Sequence, residues 1–297
     1  MRKTIPLNEA LKLVLLEQHN KPVVNLYEII MYMYKLYAER EFKGLAIGKI
    51  SAQEPDFRVV NRNIDELVAK NVIVRHLGLP VFIIRSKPQP TAQQFLCSVN
   101  PFSYIAYLSA MEWHGITDRI PHTLHAITCL PSEYKAFQKK KIDQDLGKVT
   151  DLYQLMVPRV TKVPSFDNKR FQLHQIKNYQ QPREISDSGG VRVSSLGDTF
   201  LDMMKKPDLC GGFSHVMDVF QEYAEEHLAV IVRAVDKRGT GIDKARVGYV
   251  LEERCGLSHR VIDSWKSTVQ RGGSRKLIPE NDYRDVYSET WCISIND

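Results

Sequence analysis

Apolar positions recur along this chain with a period that switches from about 3.6 to 2 and back, and the switches mark its elements. Residues 6–18 read as a short amphipathic helix with Leu7, Leu11, Val14 and Leu15 on one side, closed by His19-Asn20-Lys21-Pro22. From about Asn25 to Glu41, Leu26, Ile29, Ile30, Met33, Leu36 and Tyr37 follow at three- and four-residue spacing, which predicts a second helix with one core-facing stripe. Pro55 to Lys70 carries a third such pattern. Phe57, Val60, Ile64, Leu67 and Val68 form its inward stripe, which directs Arg58, Asn61, Arg62, Asn63 and Asp65 outward or to the stripe's edge. The β-branched runs Val72-Ile73-Val74-Arg75 and Val81-Phe82-Ile83-Ile84-Arg85 flank a turn-like His76-Leu77-Gly78-Leu79-Pro80, so a β-hairpin is predicted next. Helices, then one polar-faced helix, then a hairpin is the order of a winged helix-turn-helix.

Beyond this point the pattern changes character. Residues 86–99, with Pro88 and Pro90, read as a linker or the entry to a further domain. Asn100, Pro101 and Gly115 suit the start and exit of a helix over 101–114. Strands are predicted at 121–129, 153–160, 171–176 and 191–193, with a charged, solvated helix or loop over 135–147. From 194 the chain turns helical. A helix over 196–206 stops at Pro207, others follow at about 214–225, 227–238, 242–255 and 258–271, and a short β segment lies at 290–295. The predicted fold class is α+β. It comprises an N-terminal winged helix-turn-helix over 1–90, an α+β middle region over 91–190 and a mainly helical C-terminal part over 191–297.

Composition narrows the class. At 297 residues the chain exceeds one ordinary core, and 43% hydrophobic with 26% charged residues is ordinary for a globular protein. No apolar run approaches the roughly 18–20 residues of a membrane span, and no apolar stretch follows Met1-Arg2-Lys3 as a secretory signal requires. The expectation is a cytoplasmic protein with no membrane partner. The five cysteines are widely spaced without a Cys-x-x-Cys, which suggests reduced, buried side chains rather than disulfides or zinc. The net charge of +6 is unevenly spread. Residues 1–95 carry 14 Lys/Arg against 9 Asp/Glu, residues 96–189 carry 12 against 9, and residues 190–297 carry 15 against 17. The basic excess thus falls where it could meet a phosphate backbone.

Candidate chemistry concentrates on the helix at 55–70. Arg58 and Arg62 offer forked donors suited to guanine, and Asn61 and Asn63 offer amides suited to adenine. Lys49, Lys70, Arg75 and His76 then fall around it as phosphate contacts from the preceding loop and the wing. The competing reading is a solvated helix face used for protein contacts. The basic run Lys135–Lys141 reads as a solvated face. Gly272-Gly273-Ser274 with Asp282 and Asp285 superficially matches a nucleotidyltransferase pattern. Those acids are three apart, however, so on a strand they point to opposite faces and hold no shared cation. With no other catalytic constellation, neither an enzyme nor a cofactor is expected.

Three segments together carry a resemblance: NPFSYIAYLSAMEWHGITDRIPHTLHAIT at 100–128, VRVSSLGDTFLDMMKKPDLCGGFSHVMDVF at 191–220, and GIDKARVGYVLEERCGL at 241–257. With the N-terminal pattern, they are similar to the AbiEi-type antitoxins of type IV toxin–antitoxin operons. That resemblance implies a winged helix, here the helix at 56–70 and the wing at 72–85, which binds inverted repeats in double-stranded operator DNA. It also implies transcriptional autorepression, a C-terminal antitoxin part, a nucleotidyltransferase-like toxin as functional partner, and a link to phage defence. The alternative is a protein-interaction module that neutralises its toxin by direct binding, with DNA binding secondary.

Overall fold

The computed structural model describes residues 3–48, 50–76, 78–147, 159–160, 162–269 and 275–297. In chain order the elements begin with β1 (Thr4–Pro6), α1 (Leu7–Leu13, continuing as one wider π turn to Gln18), β2 (Val23–Asn25), α2 (Leu26–Glu39), β3 (Glu41–Phe42) and β4 (Leu45–Gly48). Next come α3 (Phe57–Ala69), β5 (Ile73–Arg75), β6 (Val81–Ile84), α4 (Ala92–Val99), β7 (Ser103–Ile105), α5 (Leu108–Trp113), β8 (Thr123–Cys129), α6 (Pro131–Leu146) and β9 (Arg170–Ile176). The remainder is α7 (Leu196–Lys205), α8 (Phe213–Arg238), α9 (Gly241–Tyr249, with a π turn to Arg254), α10 (Arg260–Lys266), β10 (Tyr287–Ser288) and β11 (Ile293–Ser294). The class is mixed α+β. Among the described residues no helix is long and apolar enough to cross a membrane.

The chain forms two compact units, Met1–Tyr104 with Ile127–Arg192, and Ile105–Ala126 with Val193–Asp297. The expected boundary at 90–91 falls inside the first unit. The reason is α4, which lies in the stretch read as a linker. Thr91 and Gln94 form a reciprocal cap at its start, and Phe95 and Val99 pack into one cluster with Val23, Val81 and Phe166. Pro88 and Pro90 precede this helix without entering it.

In the first unit, three-stranded sheets run in the orders β1-β4-β3 and β2-β6-β5. In the second of these, Val23 faces Ile83 and Asn25 faces Val81, while Ile73 faces Ile84 and Arg75 faces Phe82. The core contains Leu11, Leu15, Ile29, Met33, Ile64, Leu67, Ile73 and Ile84, all buried. Helix α2 starts where Asn25 Oδ1 accepts from the Glu28 backbone at 2.9 Å and Glu28 accepts from the Asn25 backbone at 3.0 Å. A third sheet has the order β7-β8-β9, and β7 and β8 carry the chain out of the first unit and back. The helix expected over 101–114 is therefore β7 followed by the shorter α5. The strand expected at 191–193 is only a bridge from Val193 to Ile105. Most of the strand expected at 153–160 lies outside the described residues.

The second unit is built on α7 against α8. Phe200 and Phe220 meet edge to face at 5.0 Å, and Gly197 lets α7 approach the α8 backbone where a Cβ would meet the Val230 carbonyl. Helix α8 is continuous where two helices were expected, since Glu226-His227 contains no helix breaker. Gly248 on α9 lies under the buried indole of Trp291. All five cysteines are free, with Cys97, Cys129 and Cys210 buried.

Two outcomes follow for this unit. Gly248→Ala drives a methyl into Trp291, and unfolding is expected to become easier by about 1–3 kcal/mol, read by chemical denaturation. Burial pushes the Asp202 carboxyl from its ordinary 3.8 up to about 7, against the pull of Lys205. The native state therefore keeps a proton that the unfolded chain has already released. This group's stability contribution is fullest below about pH 4, declines as pH rises toward 7, and is gone above it. Asp202→Asn should raise Tm by a few degrees at pH 8 and leave it nearly unchanged at pH 4. A uniform shift at both pH values would refute this account.

Candidate nucleic-acid interface

Helix α3 begins where the Asp56 carboxylate accepts from the Arg58 backbone at 2.9 Å. Its inner face is Val60, Ile64 and Leu67, each at most 2% exposed. Phe57, expected on that face, is 45% exposed because it occupies the first helical turn at the rim of the core. The outer face carries Arg58, Asn61, Arg62, Asp65, Glu66 and Ala69, which share one open, shallow surface. The side chains of Arg58, Asn61 and Arg62 form no hydrogen bond or ion pair with any described residue. They stand as a row of unengaged donors.

Asn63 does not belong to that row. It is 4% exposed, donates to the Val59 carbonyl at 2.8 Å, and accepts at its backbone oxygen from the Asn8 side chain at 3.2 Å. Three residues after Val60 and four before Leu67, it lies within the buried stripe despite its polarity. It is removed from the candidate base contacts.

The flanking candidates are also engaged. The Lys70 amine reaches Asn8 Oδ1 at 3.1 Å and Glu9 at 3.5 Å, tying the end of α3 to α1. Hydrogen bonding to Lys12, and then to Lys70, holds the Glu9 carboxyl below its ordinary range despite some burial. Arg75, in β5, pairs with Asp65 of α3 at 2.5 Å and lies over the Phe82 ring at 5.4 Å. His76 is turned inward, with ring centroids 4.7 Å from Phe95 and 5.4 Å from Phe166. Burial depresses its pKa, which leaves the imidazole neutral at pH 7 and removes it as a cationic phosphate contact. Lys49 lies outside the described residues.

Asn8 and Glu9 on α1 were not anticipated as partners of this helix. The available signal was Asn8 itself, a polar residue next to Leu7 and three before Leu11 on an otherwise apolar face. No protein-family model and no curated protein matches the chain. Among solved structures it is similar to the RV2827C protein from Mycobacterium tuberculosis, at a TM-score of 0.48 and 10% sequence identity over 98% of this chain and 92% of that one.

The two asparagines of α3 should separate cleanly. Asn63→Ala removes the buried amide that donates to the Val59 carbonyl at 2.8 Å and accepts from Asn8 at 3.4 Å, so unfolding becomes easier by about 1–3 kcal/mol. Asn61→Ala, on the solvated face, stays within about 0.5 kcal/mol of the parent. Equal effects in a urea titration would place the two side chains in equivalent surroundings and contradict the geometry.

Proposed function

We propose that this chain is a DNA-binding autoregulator with antitoxin function, rather than an enzyme, and that α3 inserts its outer face into the major groove of operator DNA. The observation that carries this reading is the exposed, unengaged row Arg58, Asn61 and Arg62 on a helix whose opposite face is locked in a core. Helix α3 is followed by the hairpin β5–β6, onto which β2 pairs, and this supports a winged-helix reading, although β3 and β4 lie between α2 and α3. Guanidinium groups at positions 58 and 62 lie one helical turn apart and present forked donors of the kind that read guanine. Resemblance of the 100–128, 191–220 and 241–257 segments to AbiEi-type antitoxins adds the operon context. The chain would repress its own promoter at inverted repeats and counteract a nucleotidyltransferase-like toxin in the cytoplasm.

The test is fluorescence anisotropy of the full chain with a duplex from upstream of its own reading frame and with a scrambled duplex, over a salt series. Binding to the upstream duplex should weaken steeply with salt. Arg62→Ala should cost about 1–3 kcal/mol on that duplex and much less on the scrambled one. Equal binding of both duplexes by the parent chain, or an unchanged preference in an Arg58→Ala/Arg62→Ala variant, sinks the proposal. Stable co-purification with a toxin together with such indifference to DNA would favour direct neutralisation instead.

A further inference from the structure

A second concave site lies wholly within the first unit and shares no residue with α3. It is a cleft of about 720 Å³ lined by the start of α2, the end of α4, one side of α6 and the segment 179–184. That volume suits a small organic ligand. Its deep wall is charged but internally balanced. Lys21 pairs with Glu28 at 3.2 Å and with Glu184 at 3.0 Å, and Arg192 pairs with Glu184 at 2.9 Å. Arg192 is 3% exposed and also donates to the Cys97 carbonyl at 2.6 Å and the Ser103 carbonyl at 2.9 Å. Two cations and two carboxylates thus cancel, and Nε and Nη2 of the buried guanidinium donate to backbone carbonyls.

Two features are left over. Lys140 on α6 and Arg183 on the facing segment are exposed lining cations that pair with no described residue, whereas the neighbouring Lys141 is committed to Asp145 at 3.0 Å. Tyr179, another lining residue, is only 5% exposed, and its hydroxyl has no hydrogen-bond partner among the described residues. Native structures rarely leave such a group unpaired. Burial raises the Tyr179 pKa, so the hydroxyl stays protonated and is a donor in search of an acceptor. Beside it Phe137 is half-buried, edge-on to the Tyr179 ring at 5.1 Å and 5.9 Å from Phe102, which gives the cleft an aromatic wall.

We infer that this cleft binds a nucleoside monophosphate: Lys140 and Arg183 take the phosphate, Phe137 receives the flat base, and Tyr179 donates to a ligand oxygen. The two unpaired cations match a phosphate monoester, which carries −1.5 to −2 at pH 7. The aromatic wall distinguishes a base-bearing ligand from bare phosphate.

Isothermal titration calorimetry of the full chain tests this with AMP, GMP, CMP and UMP, and with inorganic phosphate and adenosine as half-ligands. At least one nucleotide should bind tenfold or more tightly than either half-ligand. Lys140→Ala/Arg183→Ala, both at exposed positions, should weaken it at least thirtyfold. Tyr179→Phe keeps the ring and should weaken it about tenfold without lowering Tm. Phosphate binding as tightly as every nucleotide overturns the ligand class. Absence of heat with all probes at millimolar concentration, or binding indifferent to these substitutions, overturns the site. Arg58→Ala/Arg62→Ala should leave nucleotide binding unchanged, since those residues line no part of the cleft.

Discussion

Asn8 and Asn63 meet inside the first unit, and the meeting fixes the rotation of α3 about its own axis. Val60, Ile64 and Leu67 alone would tolerate a helix rolled by some tens of degrees, because apolar contact has no direction. A buried amide does have direction. Asn63 sits at 4% exposure with its donor on the Val59 carbonyl and its backbone oxygen met by Asn8, and a roll of α3 would leave these groups buried and unpaired. The Lys70 contacts to Asn8 and Glu9 repeat the constraint about two turns beyond Asn63. With the inner face held in one orientation, the opposite face is held too. Arg58, Asn61 and Arg62 therefore project from a fixed platform, and a fixed platform is what side chains need to address particular base edges.

The parts legible in the sequence are those governed by periodicity and by strong local signals. The stripes of α1, α2 and α3 and the β5–β6 hairpin lie close to where their patterns place them, since each is an amphipathic surface folded onto a neighbour. Errors arose where a local signal was outweighed. Pro88 and Pro90 point to a linker or domain entry over 86–99, whereas Thr91 and Gln94, three residues apart, are a helix-start signature and Phe95 supplies an anchor for α4. The split expected at Glu226-His227 has no physical cause, since neither residue interrupts a helix and α8 runs through both.

Within the candidate site, polarity was the misleading guide. Its polarity directs Asn63 outward or to the stripe's edge, though its spacing from Val60 and Leu67 matches the buried position it holds. His76 was assigned to phosphate because it can carry charge. The residues that bury it, Phe95 and Phe166, lie far along the chain in stretches whose proximity no local pattern reveals. Long-range contacts of this sort decide the protonation of a histidine, and a single sequence does not display them.

Pairing, more than net charge, separates the basic residues of this chain into those that can serve a ligand and those that serve the fold. The outer face of α3 holds Arg58 and Arg62 but also Asp65 and Glu66, so by itself it is neutral and would gain little from a phosphate backbone. The hairpin changes this balance. Arg75 reaches across from β5 to Asp65 at 2.5 Å, offsetting one of the two carboxylates and leaving the combined helix and hairpin surface with a positive excess. Exposed pairs of this kind add little to stability, typically less than about 1 kcal/mol. Their consequence here is electrostatic. Under the proposed reading Arg75 need not touch the DNA to favour its binding, because pairing with Asp65 offsets the repulsion that a phosphate would otherwise meet beside Arg62.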